Sequence, residues 1–365
     1  NSSITQGFEY ADGWVDDARL VILNAQAAHN LGATIATRTR CIKATRNADY
    51  WDVILEQQAS KQHLNIKAKS VVNAAGPWVA SLFEDVFTQP TPHTIRLVKG
   101  SHIVVPRLHD EPVAYILQNE DNRIVFVIPY EQDYSLIGTT DEEYTGDIAD
   151  VKISEQEIEY LISITNHYFK KPISEADIVH TFSGVRPLLD DKSTDAQAVT
   201  RDYKLILNNE ADHAPLLSVF GGKITTYRKL AENAVNKLAP FYPQMSGSWT
   251  KDAPLPGGDF SNQAYLSAQL ESSYPWLAID TLKRMVRSYG TLSYQLLGNS
   301  QAIGDLGYHF GHGLYAQEVD YLVNHEWART SADILWRRTK LGLRFTEKQV
   351  IALGQYLTKH PACHS

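Results

Sequence analysis

Val71-Val72-Asn73-Ala74-Ala75-Gly76-Pro77-Trp78 decides the fold class. The β-branched pair predicts a short buried strand. Small residues and a glycine follow, so the backbone can turn tightly, and a helix is expected from Trp78. Upstream, Asp16 or Asp17 can cap a helix carrying Leu20, Val21, Leu23, Asn24, Ala27, Ala28 and Leu31, ended near Gly32. Strands are expected over residues 34–42, 51–56 and 64–68. A helix followed by strands and a strand-to-glycine turn is α/β grammar.

Further along, the character changes. Residues 96–105, 113–117, 123–128 and 135–138 predict successive strands with polar turns, an antiparallel sheet. A helix over 154–169 follows, with Ile158, Leu161, Ile162 and Ile164 at roughly helical spacing. Strands return at 178–182, 204–207 and 216–220. Gly221-Gly222 breaks the last one, and a helix is expected over 224–238. Pro254-Leu255-Pro256-Gly257-Gly258 reads as a linker. Beyond it helices are expected at 263–271, 279–289, 314–326, 332–341 and 346–359.

The 365 residues suffice for two or three domains. Hydrophobic and charged shares of 43% and 21% fit a globular protein. A net charge of −8 argues against nucleic acid as the main partner. The two cysteines, Cys41 and Cys363, make neither a disulfide framework nor a zinc site and fit a reducing compartment. No apolar run approaches the ~20 residues of a membrane span; the longest, such as 124–129, are strand-sized. The chain opens mid-pattern, with Gly7-Phe8-Glu9-Tyr10 just before a helix, and reads as a fragment.

Three motifs carry chemistry. Ala75-Gly76-Pro77 lets backbone approach a ligand closely and offers N–H groups to a phosphate, although the same turn also serves plain strand-helix packing. In Ser183-Gly184-Val185-Arg186-Pro187, glycine and proline fix the backbone around an arginine, whose guanidinium offers a fork to a carboxylate or phosphate; the bland reading is a surface ion pair. Phe220-Gly221-Gly222-Lys223-Ile224-Thr225-Thr226-Tyr227-Arg228 joins a strand to a helix N-terminus; it is either a ligand-facing turn or a capped helix start. It is no P-loop, since Ile224 stands where serine or threonine is required. Gly311-His312-Gly313 does not follow an aliphatic strand and is discarded as a dinucleotide site. His325-Glu326 lacks a second histidine, because Arg329 stands there, so no metal is expected. Arg337-Arg338-Thr339-Lys340, beside Trp336, Leu341, Leu343 and Phe345, could touch anionic lipid, but a solvated helix face is the stronger expectation.

Taken in order, Phe8-Glu9-Tyr10, Trp14-Val15-Asp16-Asp17-Ala18-Arg19-Leu20, the Val72–Trp78 turn and Ile95-Arg96-Leu97-Val98-Lys99-Gly100-Ser101-His102 resemble the bacterial FAD-dependent glycerol-3-phosphate dehydrogenases. So do Gly138-Thr139-Thr140-Asp141, the Arg186 motif, Thr200-Arg201-Asp202-Tyr203 and the Gly221–Arg228 motif. The resemblance covers essentially the whole chain. It implies a D-amino-acid-oxidase-like fold: α/β plus α+β, with a partial FAD-binding Rossmann-like domain (1–90, returning at 178–248), a substrate cap with an antiparallel sheet (91–177) and an all-helical domain (249–365). It implies oxidation of sn-glycerol 3-phosphate to dihydroxyacetone phosphate at the inner face of the cytoplasmic membrane. Ubiquinone takes the electrons, the membrane surface is anionic and a homodimer is left open.

In that scheme a hydride passes from C2 to flavin N5. Arg186 clamps the phosphate and Arg201 assists. Lys223 stands beside flavin and substrate, and Ala75, Gly76, Pro77, Gly221, Gly222, Ile224 and Thr225 lie near the cofactor. The alternatives are an oxygen-using glycerol-3-phosphate oxidase and a non-catalytic binding module. The family's N-terminal glycine-rich fingerprint is not among these residues. The general base is left unassigned, with that segment as one place for it, and the chain by itself is expected to hold FAD poorly.

Overall fold

Asp16 accepts a hydrogen bond from the Arg19 amide at 3.1 Å and so caps the first helix, α1 (Asp17–Asn30), as its position predicts. The computed structural model describes residues 6–190, 202–210 and 213–363. Backbone contacts divide it into two units. One is Asn1–Glu9 with Arg38–Ser248; the other is Tyr10–Thr37 with Trp249–Ser365. The segment holding α1 therefore groups with the helical unit, whereas the sequence places it in a 1–90 flavin domain.

In the first unit, β1 (Thr39–Arg46), β2 (Trp51–Gln57) and β3 (His63–Ala68) form an antiparallel meander. β1 starts later than expected because Arg38, at φ +54°, occupies a turn. β4 (Val71–Asn73) ends in a 3-10 turn, Gly76–Trp78, and the expected helix begins only at α2 (Ser81–Asp85). The central sheet contains β5 (Ile95–Pro106), β6 (Tyr115–Gln118), β7 (Ile124–Tyr130), β8 (Tyr134–Gly138) and the short β9 (Glu142–Glu143). After α3 (Glu155–Tyr168) the chain adds β10 (His180–Leu189) to that sheet, giving the order β10-β5-β8-β7-β6. β10 runs straight through Ser183–Pro187, where the sequence suggests a strand end. Proline is tolerated because this strand lies at the sheet's edge. β11 (Tyr203–Asn208) then pairs antiparallel with β12 (Leu216–Gly221), which pairs parallel with β4. That parallel pair, followed through a 3-10 turn by α4 (Tyr227–Leu238), is the α/β part of the fold.

Two cores hold this unit. Trp51, Val79, Phe83, Phe87 and Phe220 pack beneath the small sheets. Ile103, Val105, Val125, Val127 and Ile137 meet Leu161 and Ile164 of α3, seating that helix on the central sheet.

The second unit contains α5 (Gln263–Ser273), α6 (Ile279–Tyr289), α7 (Leu292–Leu297), the hairpin β13 (His309–Gly311) with β14 (Leu314–Tyr315), α8 (Ala316–His325) and α9 (Glu347–Leu357). The discarded Gly311-His312-Gly313 triplet forms the hairpin turn, with both glycines at positive φ. α1 is tied to this unit by buried charge: Arg19 pairs with Glu326, and Lys340 reaches both oxygens of Asp16 at 2.8 Å. A second buried set joins Arg284 to Glu318 through Nη1 and Nη2, with the Tyr289 hydroxyl donating to the same carboxylate at 2.6 Å. Buried carboxylates persist only when so partnered. Two of the three basic residues offered as a lipid contact are engaged in this way. Arg338 donates to the Glu326 carbonyl, Lys340 holds Asp16, and Arg337 lies 3.7 Å from Asp333. Leu341 is buried, and Trp336 and Phe345 pack on the helical core. The apolar members of the cluster are packed, and Arg337 faces solvent.

Candidate functional site

Two clusters of predicted residues emerge within the first unit. The first is the backbone surface at the ends of β4 and β12. The 3-10 turn Gly76–Trp78 packs against both β10 and β12. Gly76 sits at φ +55° with nothing within 4 Å of where a Cβ would stand, so glycine serves the turn and leaves open space in front. Gly221, at φ +71°, faces the Asp202 carbonyl; a Cβ would lie 2.7 Å from that oxygen. Gly222 follows at φ +108°, then Lys223 as the cap of a 3-10 turn over Ile224–Thr226 that leads into α4. Lys223, Ile224 and Thr225 are exposed, as are Val72 and Trp78, while Ala75 and Pro77 are half-buried. Glycine backbone, exposed apolar side chains and a helix start form a surface suited to a flat, partly apolar, anionic group.

The second cluster is built on β10 and β5. Arg186 pairs with Val98 in register, and its guanidinium lies over Gly100; a Cβ there would be 2.5 Å from Nη2. Nη2 donates to Thr139 Oγ1 at 2.9 Å and Nη1 to Asp141 Oδ1 at 2.6 Å. The arginine is thus oriented by the Gly138–Asp141 segment while its side chain keeps 31% of its exposure. A guanidinium oriented in this way and partly exposed can hold an oxyanion.

Beside it stands His102, a residue the motifs quote but to which sequence reasoning assigns no role. Its ring stacks on Phe182 at 4.8 Å and 11°. It also lies against Gly138, where a Cβ would approach to 2.2 Å. Burial, and then the charge of Arg186, pushes its pKa down to about 4. Nδ1 is buried without a hydrogen-bond partner. A neutral imidazole beside a fixed cation is therefore part of the site. The signal was the register: His102 pairs with Phe182, and Arg186 joins the same part of β5 only because β10 continues beyond residue 182. Arg201 lies outside the described residues, and Lys223 belongs to the first cluster with Gly221 and Gly222.

Residues 1–228 match the family model described as FAD dependent oxidoreductase. The chain belongs to the FAD-dependent oxidoreductases. Residues 248–356 of this oxidoreductase match a second model, the C-terminal domain of alpha-glycerophosphate oxidase. The chain is 51% identical over 362 residues to a glycerol-3-phosphate dehydrogenase of Pseudomonas aeruginosa, covering 99% of this chain and 70% of that protein. It is 50% identical over 358 residues to the aerobic glycerol-3-phosphate dehydrogenase of Escherichia coli, covering 98% and 72%. Among solved structures, the Bacillus halodurans glycerol-3-phosphate dehydrogenase complexed with FAD superposes with a TM-score of 0.75, covering 94% of this chain and 72% of that one. At 24% identity this likeness establishes the fold: a Rossmann-like FAD-binding architecture with antiparallel sheets and a helical C-terminal region.

Proposed function

We propose that this FAD-dependent oxidoreductase oxidises sn-glycerol 3-phosphate to dihydroxyacetone phosphate. The observation that carries the reading is the pairing of a braced guanidinium with a neutral imidazole, in a chain half identical to two glycerol-3-phosphate dehydrogenases. Arg186 binds the substrate phosphate through charge-assisted hydrogen bonds. His102, uncharged at neutral pH, takes the proton from the C2 hydroxyl. Ala75, Gly76, Pro77, Gly221, Gly222, Ile224 and Thr225 would hold the flavin ring against glycine backbone and apolar surface, and Lys223 would place positive charge at its edge. Bound FAD supplies the hydride acceptor; the protein supplies binding, orientation and the proton path. Arg201 is assigned a supporting role at the phosphate. The antiparallel sheet within 91–177 serves as the cap over the substrate.

Ubiquinone is the proposed electron acceptor. The name of the family model over 248–356 favours one competing reading, in which dioxygen reoxidises the flavin. The two differ in product. The FAD-loaded enzyme with glycerol 3-phosphate should reduce a soluble quinone analogue rapidly and release little peroxide under air. Stoichiometric peroxide with no quinone reduction would select the oxidase.

A lipid-soluble acceptor requires access to a bilayer, so we assign a peripheral position on the anionic inner face of the cytoplasmic membrane. No helix among the described residues is long and apolar enough to cross a membrane. Within the basic cluster at 337–340, Arg338 and Lys340 are engaged inside the helical unit, and Arg337 alone keeps an exposed side chain. The protein should sediment with anionic vesicles, and release by salt would mark the attachment as electrostatic. Protein left in the supernatant at every salt concentration would contradict the assignment.

A further inference from the structure

Behind the substrate-facing side of β5 lies a buried carboxylate for which the mechanism above has no use. Glu157, the third residue of α3, is 1% exposed. Its Oε1 accepts from Thr140 Oγ1 at 2.6 Å and from Ser101 Oγ at 2.8 Å. Its Oε2 accepts from the Ser154 amide at 2.7 Å, completing a capping box, and pairs with Lys99 Nζ at 2.9 Å. Lys99 in turn lies 3.3 Å from Glu142. A cap alone needs only one of these bonds.

The other partners all flank the proposed site. Thr140 sits between Thr139 and Asp141, the two residues that hold the Arg186 guanidinium. Thr140 Oγ1 also accepts from the Ser101 amide at 2.9 Å, and Ser101 immediately precedes His102. Ser101 Oγ touches Ser183 Oγ at 2.8 Å, on the strand that carries Arg186. One carboxylate therefore ties α3 to the turn, the strand and the edge strand that aim the two functional side chains.

We propose that Glu157 is a positioning residue for substrate phosphate: it fixes the Thr139–Asp141 segment, and through that segment the direction of the Arg186 fork. The proposal rests on the reading of Arg186 as the phosphate clamp. A guanidinium displaced by a fraction of an ångström still carries its charge but loses the alignment of its two hydrogen bonds. Substrate affinity should thus suffer more than turnover.

The test is a double-mutant cycle on the FAD-loaded enzyme with Glu157→Gln and Arg186→Ala. Glu157→Gln preserves volume but replaces the carboxylate that accepts from Thr140 and Ser101 by a neutral amide, weakening both bonds, and loses the charge that holds Lys99 and the acceptor at the helix cap. We expect it to raise KM for glycerol 3-phosphate about tenfold while kcat changes by less than about threefold. The inhibition constant of inorganic phosphate should weaken in parallel. In the Arg186→Ala background the same substitution should add almost nothing. Thr140→Val, which deletes only the hydroxyl link, is run alongside in case Glu157→Gln does not fold, and carries the same expectation. An unchanged KM with a lowered melting temperature would overturn the proposal, as would an equal effect with and without Arg186. If Arg186→Ala raises KM and neither positioning variant does, this inference alone fails. If Arg186→Ala leaves KM unchanged, the clamp reading falls and this inference with it.

Discussion

Arg186→Ala should raise KM for glycerol 3-phosphate roughly ten- to hundredfold, the equivalent of about 1.5–3 kcal/mol for a lost charge-assisted contact. The residue is fixed on β10, its guanidinium is oriented by Thr139 and Asp141, and the Gly100 position leaves room for it. Arg186→Lys should recover only part of the loss, since an ammonium reaches one acceptor where the guanidinium reaches two. Steady-state kinetics with glycerol 3-phosphate and with glycerol separates the roles. The variant should lose its preference for the phosphorylated substrate. An undiminished preference would remove Arg186 from the phosphate site.

His102→Asn should lower kcat by about two to four orders of magnitude, the usual worth of a positioned general base. KM should change little, because phosphate binding resides in Arg186. The pH behaviour has a defined sign. Burial and the neighbouring guanidinium hold the imidazole at a pKa of about 4, below its ordinary 6.5. The base form therefore persists on the acid side, and kcat/KM should keep its base well below pH 6.5. The same depression links to stability. The folded state binds fewer protons than the unfolded state between these values, so this contribution is complete above pH 6.5 and is lost as pH falls towards 4. His102→Asn should flatten that window in acid unfolding profiles. An acid limb of kcat/KM near pH 6.5, unchanged in the variant, would show that another group is the base.

Much of this was legible in local sequence. The Asp16 cap, the apolar spacing of α3 and the antiparallel run from residue 96 each follow from short-range pattern, and each formed. Gly76, Gly221 and Gly222 were readable as turns because positive φ is a local demand. What local pattern could not supply was register and long-range pairing. The extent of β10 depends on ten successive partners in β5, so the strand passes through Pro187 where sequence alone suggests an end. His102 gained its meaning only from that pairing. The attachment of α1 to the helical unit rests on ion pairs spanning some three hundred residues, Arg19 with Glu326 and Asp16 with Lys340, which no window of sequence can show. The same long-range pairing turned Lys340 of the apparent lipid-binding cluster inward and left Arg337 exposed.

Anaerobic mixing of the FAD-loaded enzyme with sn-glycerol 3-phosphate tests the central claim most directly, with flavin absorbance as the readout and no external acceptor present. The account predicts bleaching of the oxidised flavin band with one equivalent of dihydroxyacetone phosphate formed. Bleaching should be slowed by orders of magnitude in His102→Asn, and should need far higher substrate concentration in Arg186→Ala. A flavin band that stays unbleached at saturating glycerol 3-phosphate, or that bleaches equally well in both variants, would contradict it.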